Sequence, residues 1–226
     1  MTDRDHSVGQ ADFVKRYGLW SDAQMAAAED ALRLIDEHKI ELVRLAYPDQ
    51  HGILRGKAVV ADEFASTLRN GCRITTTLLA KDTSHKTVYP VFTPGGGFGL
   101  PEMEGAGDFI MVPDPTTFRV LPWAPDTGWV LCDGYFQTGA PNPFAPRTIL
   151  RQALDRAAAK GFDYVAGIEI EFHIFKLEDP RLGTADIGQP PRPPEVSLTH
   201  QGFNYLTETR FDQAEPLLQI LRRTAQ

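Results

Sequence analysis

The sequence predicts an α+β fold in which one small domain is followed by the beginning of a second. Two observations support this class. Between residues 39 and 137, short apolar runs separated by turns outnumber the helical patterns, which is typical of a strand-rich domain. The turn-rich stretch QTGAPNPFAP, residues 137–146, then marks a boundary. We therefore predict an N-terminal extension and helix over 1–38, a first domain over 39–137 and a second domain over 143–226.

The composition narrows the class of protein further. The chain has 226 residues, a net charge of -7 and 42% hydrophobic residues, as in an ordinary soluble protein. Its acidic balance and the absence of a Lys/Arg run argue against a nucleic-acid partner. No apolar run has the length of a membrane span, and the first residues lack a signal-type apolar core. Cys72 and Cys132 have no CxxC spacing. We predict a cytoplasmic protein with reduced thiols and no membrane partner.

The first elements are a helix and a hairpin. Ser21 and Gln24 have capping-box spacing, and Trp20 and Met25 are placed for a hydrophobic staple. The helical stripe that follows ends near His38 and consists of Met25, Ala28, Leu32 and Ile35. After it, IELVRLAY and ILRGKAVV predict two strands joined by the polar turn PDQHG.

The rest of the first domain contains one more helix. Residues 62–70 predict a short helix that Gly71 ends, and residues 81–107 predict a long irregular region. DFIMVPD and GWVLCDGYF, residues 108–114 and 128–136, predict two further strands.

The second domain begins with a helix that has Pro146 in its first turn and Gly161 as its stop. Its predicted buried stripe is Ile149, Leu150, Ala153, Leu154 and Ala157. The chain then predicts a strand over 163–176, a loop over 177–198, a strand in GFNYLTETR and a helix over about 212–223. These elements do not complete a core, so we expect the chain to be the N-terminal portion of a longer protein.

The predicted strand GIEIEFHIF places two carboxylates on one face. Side chains alternate along a strand, so Glu169, Glu171 and His173 share a face, and neighbours on that face lie roughly 7 Å apart. Such a spacing suits ligands of one or two divalent cations, and Mg²⁺ prefers oxygen ligands. The alternative is an edge strand with a solvated face, on which His173 is only a partly exposed histidine. The spacing alone leaves both interpretations open.

The order of the motifs resembles the glutamine synthetase family. The matching pieces run from about Ile40 to the end of the chain. They are D-x-x-G-x-x-R-G-K at Asp49, Gly52, Arg55, Gly56 and Lys57; D-x-x-x-x-P-D at Asp108 to Asp114; LPW at Leu121 to Trp123; PRxxL at Pro146 to Leu150; G-x-E-x-E-F-x-x-F from Gly167 to Phe175; and GFNYLTETR, residues 202–210, followed by a helix.

This resemblance implies a β-grasp-like N-terminal domain followed by a partial glutamine synthetase-type catalytic α+β domain. It also implies an ATP- and Mg²⁺- or Mn²⁺-dependent ligase of nitrogen metabolism, which joins the γ-carboxylate of glutamate to ammonia or another amine through γ-glutamyl phosphate. Glu169 and Glu171 are then metal ligands, on the nucleotide side and the substrate side respectively. Family members assemble into rings, which implies a homo-oligomer.

Two departures from the family pattern qualify this expectation. The loop aspartate that handles ammonium in the family is absent near Thr93 and Pro94, so an amine other than ammonia becomes credible, unless Glu102, Glu104 or Asp108 substitutes. Family chains are also about twice as long, and their remaining ligands lie beyond the stretch matched here. We therefore expect this polypeptide to be inactive alone, and its catalytic and substrate-binding residues stay unassigned.

Several alternatives remain open from the sequence. The Gly95–Gly97 run is either a flexible loop or a phosphate cradle, although it lacks the Lys-Ser/Thr that follows a P-loop. Arg55 and Lys57 are either solvated strand charges or functional groups. The whole chain is alternatively a non-catalytic structural or interaction member of the same fold. A metal-dependent hydrolase using Glu169, Glu171 and His173 is a weaker candidate, because a second ligand cluster is lacking.

Overall fold

The computed structural model describes residues 12–179, 183–188, 190–200 and 206–225. The chain divides into two compact units, Met1–Tyr164 and Val165–Gln226. Both helices and strands build it, which confirms the α+β class. Among the described residues, none of the helices combines the length and apolar character needed to cross a membrane.

The first unit is a sheet of six strands with helices packed against it. Its helices are α1 (Phe13–Tyr17), α2 (Asp22–His38), α3 (Ala61–Asn70) and α4 (Pro146–Ala158). Its strands are β1 (Leu42–Pro48), β2 (Leu54–Val60), β3 (Cys72–Thr75), β4 (Asp108–Pro113), β5 (Arg119–Val120) and β6 (Thr127–Tyr135). The strand order is β2-β1-β6-β4-β3, and β5 pairs with β6. Strands β1 and β6 run parallel, and the other pairs are antiparallel.

Local signals explain where most of these elements begin and end. Ser21 caps α2, and the reciprocal capping box with Gln24 is formed as predicted. The predicted β1–β2 hairpin is formed, and its antiparallel pairing runs from Leu42 opposite Val60 to Pro48 opposite Leu54. Gly71 ends α3 with φ of 69°, a left-handed conformation that glycine adopts without a steric penalty.

The core lies between the sheet and α2 and α3. Its largest fully buried side chains include Tyr47, Phe64, Phe109 and Met111. Cys132 is buried there, and both cysteines are free thiols, as predicted. Of the predicted stripe of α2, Ala28 and Ile35 are buried, whereas Met25 is 51% exposed and does not belong to the buried face; Ala31 is buried as well.

Helix α4 has the predicted bounds but not the predicted burial. Ile149, Leu150 and Leu154 are all exposed, and Thr148 is the buried residue of this helix. Polar contacts of Arg147 and Arg151 with the sheet orient the helix instead. The predicted apolar stripe is therefore present in the sequence but unburied in this unit.

The second unit contains β7 (Phe175–Leu177), β8 (Val196–Leu198) and α5 (Glu208–Ala225), and β7 pairs antiparallel with β8. The predicted strand over 163–176 is wrong for all but its last two residues. A strand needs a neighbour to satisfy its backbone, and among the described residues β8 is the only strand that pairs with this segment. The strand predicted in GFNYLTETR is wrong from Leu206 onward, because Leu206 lies in a turn and α5 begins at Glu208; residues 201–205 lie outside the described residues.

Candidate functional site

The tip of the β1–β2 hairpin is organised around a buried carboxylate. Asp49 is 0% exposed, and its Oδ1 accepts hydrogen bonds from the backbone N–H groups of His51 (2.9 Å) and Ile53 (3.0 Å). Its Oδ2 accepts from Arg55 Nε at 2.9 Å. This arrangement explains the spacing of Asp49, Gly52 and Arg55 in the sequence: the turn brings the guanidinium back onto the carboxylate six residues earlier.

These contacts keep Asp49 ionised. Burial opposes the charged form of Asp49, but the hydrogen bonds from Arg55, His51 and Ile53 outweigh it, so that the pKa of Asp49 lies below its ordinary value. A buried carboxylate with three donors and a cationic partner satisfies the condition for burying charge. Arg55 is therefore positioned by Asp49 and is not simply a solvated strand charge, whereas Lys57 is exposed on β2.

Gly56 allows the two strands of the hairpin to approach each other closely. It pairs with Ala46, and a Cβ atom at this position would lie 1.8 Å from the carbonyl oxygen of Leu45. No side chain fits that space. The glycine of the R-G-K motif is thus required by the packing of this hairpin.

A second cluster of charges joins α4 to the sheet. Arg147 donates from Nη2 to Asp114 and from Nε to Asp133 Oδ1 at 3.0 Å, and Arg151 donates to Asp133 Oδ2 at 3.0 Å. Both aspartates are buried, and Asp114 also accepts from Gln24. The two negative charges of the aspartates are matched by the two positive charges of the arginines, and the carboxylate oxygens all accept hydrogen bonds. The network therefore attaches α4 to the sheet.

Neighbouring tyrosines stay protonated around this network. Burial raises the pKa of Tyr135, and the negative charge of Asp133 raises it further. Burial and the charges of Asp133 and Asp49 act in the same direction on the pKa of Tyr47. Neither tyrosine is suited to lose a proton near neutral pH.

Backbone amides of the glycine-rich loop donate hydrogen bonds to other groups of the protein. The Gly95 N–H donates to Glu104 Oε1 at 3.2 Å, and the Gly96 N–H donates to the Thr93 carbonyl oxygen at 2.9 Å. Phe98 packs on Tyr89 and Phe144. Two amides that a phosphate cradle would need are therefore already engaged. Of the three acids considered as substitutes for the absent aspartate, Glu104 is the one with a hydrogen bond to this loop.

Glu169 and Glu171 lie in a segment without regular structure. Both glutamates and His173 are exposed, as are the neighbouring Ile168 (89%) and Ile170 (75%). The expectation that the two carboxylates share one face of a strand is wrong for this chain, because residues 163–174 do not form a strand. Nowhere in the described ranges do three or more His, Cys, Asp or Glu side chains gather as a metal site would require. The residues described here therefore do not by themselves fit a divalent cation.

Three participants in these clusters were missed from the sequence. Asp133, Arg151 and His85, whose Nδ1 lies 2.9 Å from Arg55 Nη2, carry no motif, and their partners lie 14 or more residues away along the chain. The one available signal was Asp133 in the apolar run GWVLCDGYF, because a charge in a buried strand requires a partner.

Comparison with known proteins identifies the protein family to which this chain belongs. Residues 143–226 match the family model of the glutamine synthetase catalytic domain. The chain belongs to the glutamine synthetase family.

Several named proteins are similar to this chain in sequence. The chain is 36% identical over 218 residues to γ-glutamylanilide synthase of an Acinetobacter species, covering 94% of this chain and 44% of the relative. It is 36% identical to γ-glutamylethanolamide synthetase of Streptomyces coelicolor (66% and 31% covered) and 32% identical to glutamate–isopropylamine ligase of a Pseudomonas species (62% and 29% covered). The chain thus spans less than half the length of these relatives.

Proposed function

We propose that this chain forms part of a ligase that joins the γ-carboxylate of glutamate to an organic amine at the expense of ATP. The observation that carries the proposal is the 36% identity to γ-glutamylanilide synthase, which extends over 94% of this chain. Of the two further relatives described above, one is named for a γ-glutamylethanolamide product and the other for the joining of glutamate to isopropylamine. All three names describe one bond, an amide between glutamate and an amine.

The chemistry requires activation of a carboxylate. In the proposed reaction, the γ-carboxylate attacks the terminal phosphorus of ATP, which releases ADP and forms γ-glutamyl phosphate. The amine nitrogen then attacks the acyl carbon, phosphate leaves, and the nitrogen loses a proton. An organic amine is favoured over ammonia because Thr93 and Pro94 stand where the family's ammonium-handling aspartate is expected.

Glu169 and Glu171 are the proposed ligands for Mg²⁺ or Mn²⁺. Carboxylate oxygens suit these hard cations, but two exposed carboxylates bind them weakly. A working site therefore needs further ligands from outside the described residues. Accordingly, we propose that the 226-residue chain has no ligase activity on its own.

The proposed architecture follows the same resemblance. We propose that the six-stranded sheet with α3 is the β-grasp-like N-terminal domain, over 39–137, that α2 belongs to the extension before it, over 1–38, and that the catalytic domain begins at 143. We propose that the whole protein assembles into a ring of identical subunits. Light scattering measures this directly, and a monomer at all concentrations would exclude a ring for the chain tested.

The ligase proposal is tested by phosphate release from ATP. The assay contains glutamate and one of ammonia, ethanolamine, isopropylamine, aniline or a polyamine, and it is run on this chain and on the longest product of the same gene. We expect release that depends on both glutamate and one organic amine, at least about tenfold above that with ammonia. Glu171→Gln should abolish it, whereas Glu178→Gln should not. Equal or higher rates with ammonia would exclude the organic-amine assignment.

A non-catalytic role is the second candidate. The observation in its favour is the exposure of Glu169 and Glu171 without a gathered set of ligands among the described residues. The test uses the longest product of the gene, once it has been shown to be folded. If this protein releases no phosphate with any amine and binds neither ATP nor Mn²⁺ in calorimetry, the non-catalytic role replaces the ligase proposal.

A further inference from the structure

The hairpin tip is tied to a neighbouring turn through two histidines. His51 Nε2 lies 2.8 Å from the carbonyl oxygen of Lys81, and His85 Nδ1 lies 2.9 Å from Arg55 Nη2. These contacts join the β1–β2 hairpin to the start of the irregular region, residues 81–107. The two histidines differ in the chemistry of their partners, so the two contacts should depend on pH in different ways.

The partner of His85 is a donor. A guanidinium has N–H groups and no acceptor, so His85 Nδ1 must be unprotonated and accept the hydrogen bond. Protonation of His85 removes that lone pair and places two cations in contact. The partner of His51 is a carbonyl oxygen, which accepts from Nε2–H whether or not the ring is charged. One contact is therefore sensitive to protonation and the other is not.

The turn that carries His85 is tightly built. Asp82 Oδ1 accepts from the backbone N–H of Ser84 at 2.8 Å and of Lys86 at 2.9 Å. His85 has φ of 63°, a left-handed conformation that is uncommon outside glycine and in which asparagine, aspartate and histidine are the enriched residues. A strained backbone persists only where the surroundings enforce it, and such positions are associated with function.

We propose that His85 and Arg55 form a pH-sensitive latch between the β1–β2 hairpin and the turn Asp82–Lys86. The latch is closed when His85 is neutral and opens when His85 is protonated, while the Asp49–Arg55 pair and the His51–Lys81 contact remain. Histidine is the side chain whose ordinary pKa lies closest to neutral pH, which is why we assign the opening of this contact to ring protonation. The charged and titratable groups that the hairpin and the turn bring to this contact are Asp49, His51, Arg55, Lys81, Asp82 and Lys86.

Nuclear magnetic resonance tests the latch on the intact chain. The reporters are the Nε–H signal of Arg55, the backbone amides of residues 82–86 and the ring nitrogens of His85, followed from pH 8 to 5.5. We expect the ring to carry its proton on Nε2 at pH 8. We also expect the Arg55 signal and the turn amides to shift with the same midpoint as the His85 ring. An Arg55 signal that stays constant while His85 titrates would overturn the proposal.

Two matched variants sharpen the test. His85→Asn keeps a neutral acceptor and tolerates the left-handed backbone, so the Arg55 signal should lose its pH dependence while the turn stays folded. His51→Gln keeps a donor toward Lys81 and should leave the pH dependence of the Arg55 signal unchanged. A pH dependence of the Arg55 signal that survives in His85→Asn, or disappears in His51→Gln, would show that another group drives it. The comparison within the wild-type chain needs neither variant.

Discussion

Arg147, in the first turn of α4, is paired with Asp114, which directly follows β4. The two residues are 33 positions apart and belong to separate motifs, D-x-x-x-x-P-D and PRxxL. Their contact attaches α4 to the sheet. Helix α4 is the first helix of the segment that matches the catalytic-domain model. Because the apolar face of α4 is exposed, this ionic contact and the adjoining pairs with Asp133 take the place of hydrophobic docking.

Removing Arg147 should therefore destabilise the first unit. Arg147→Ala leaves Asp114 and the Oδ1 atom of Asp133 buried without their cationic partner. We expect a loss of about 2–3 kcal/mol in the free energy of unfolding. This loss is smaller than that for a fully buried pair, because Arg147 is partly exposed. Urea denaturation followed by tryptophan fluorescence measures it. Arg156→Ala, at an exposed position of the same helix, is the control and should change stability by less than about 0.5 kcal/mol. Equal effects of the two substitutions would contradict the assigned role of Arg147.

Asp49 should make stability depend on pH in a defined direction. Its pKa is lower in the folded protein than in the unfolded chain, where an aspartate titrates near about 3.9. Its stabilising contribution is therefore fully present above that unfolded value and is lost as pH falls through the folded value. We expect Asp49→Asn to cost about 2–3 kcal/mol at pH 7, and the gap to wild type to narrow below about pH 4. Denaturation midpoints at pH 7, 5, 4 and 3 test this, and a constant gap would refute it.

The elements that could be predicted from the sequence are those specified by local chemistry. The capping box at Ser21 and Gln24, the polar turn between β1 and β2, and the stop at Gly71 each act within a few residues. Their bounds follow from short-range hydrogen bonds and allowed backbone angles, so they are readable without tertiary information.

The failures share a physical cause. The apolar alternation of GIEIEFHIF indicates a strand, but a strand forms only beside another, and pairing is a property of distant residues. The same holds for the burial of the α4 stripe. It also holds for the clusters around Asp49 and Asp133: the motifs that contain Asp49, Asp114 and Arg147 were noticed, whereas His85, Asp133 and Arg151 were not. Periodicity reports which face is apolar and does not report whether anything covers it.

Gly56 should tolerate no side chain. In Gly56→Ala, the new Cβ would overlap the Leu45 carbonyl oxygen, so the β1–β2 pairing must shift, at a cost of about 3 kcal/mol. Gly52→Ala is the matched comparison: Gly52 lies in the same hairpin with φ of 76° but has open space around its Cβ position, so only backbone strain of about 1 kcal/mol is expected. Thermal unfolding of both variants measures the difference. A Gly52→Ala variant as unstable as Gly56→Ala would show that strain, and not close approach, governs this hairpin.

Divalent cations should stabilise this chain very little. Glu169 and Glu171 are exposed and gather no third ligand from the described residues, and two flexible carboxylates must lose side-chain entropy and displace water to share one ion. Since stabilisation grows only once the free cation exceeds its dissociation constant, we expect 1 mM Mn²⁺ to raise the melting temperature by less than about 1 °C. Glu171→Ala should leave this small shift unchanged, and Glu178→Ala serves as the control for a general charge effect. A larger increase that Glu171→Ala removes and Glu178→Ala does not would show that the chain assembles a metal site unaided, and the proposed need for ligands from elsewhere would then be wrong.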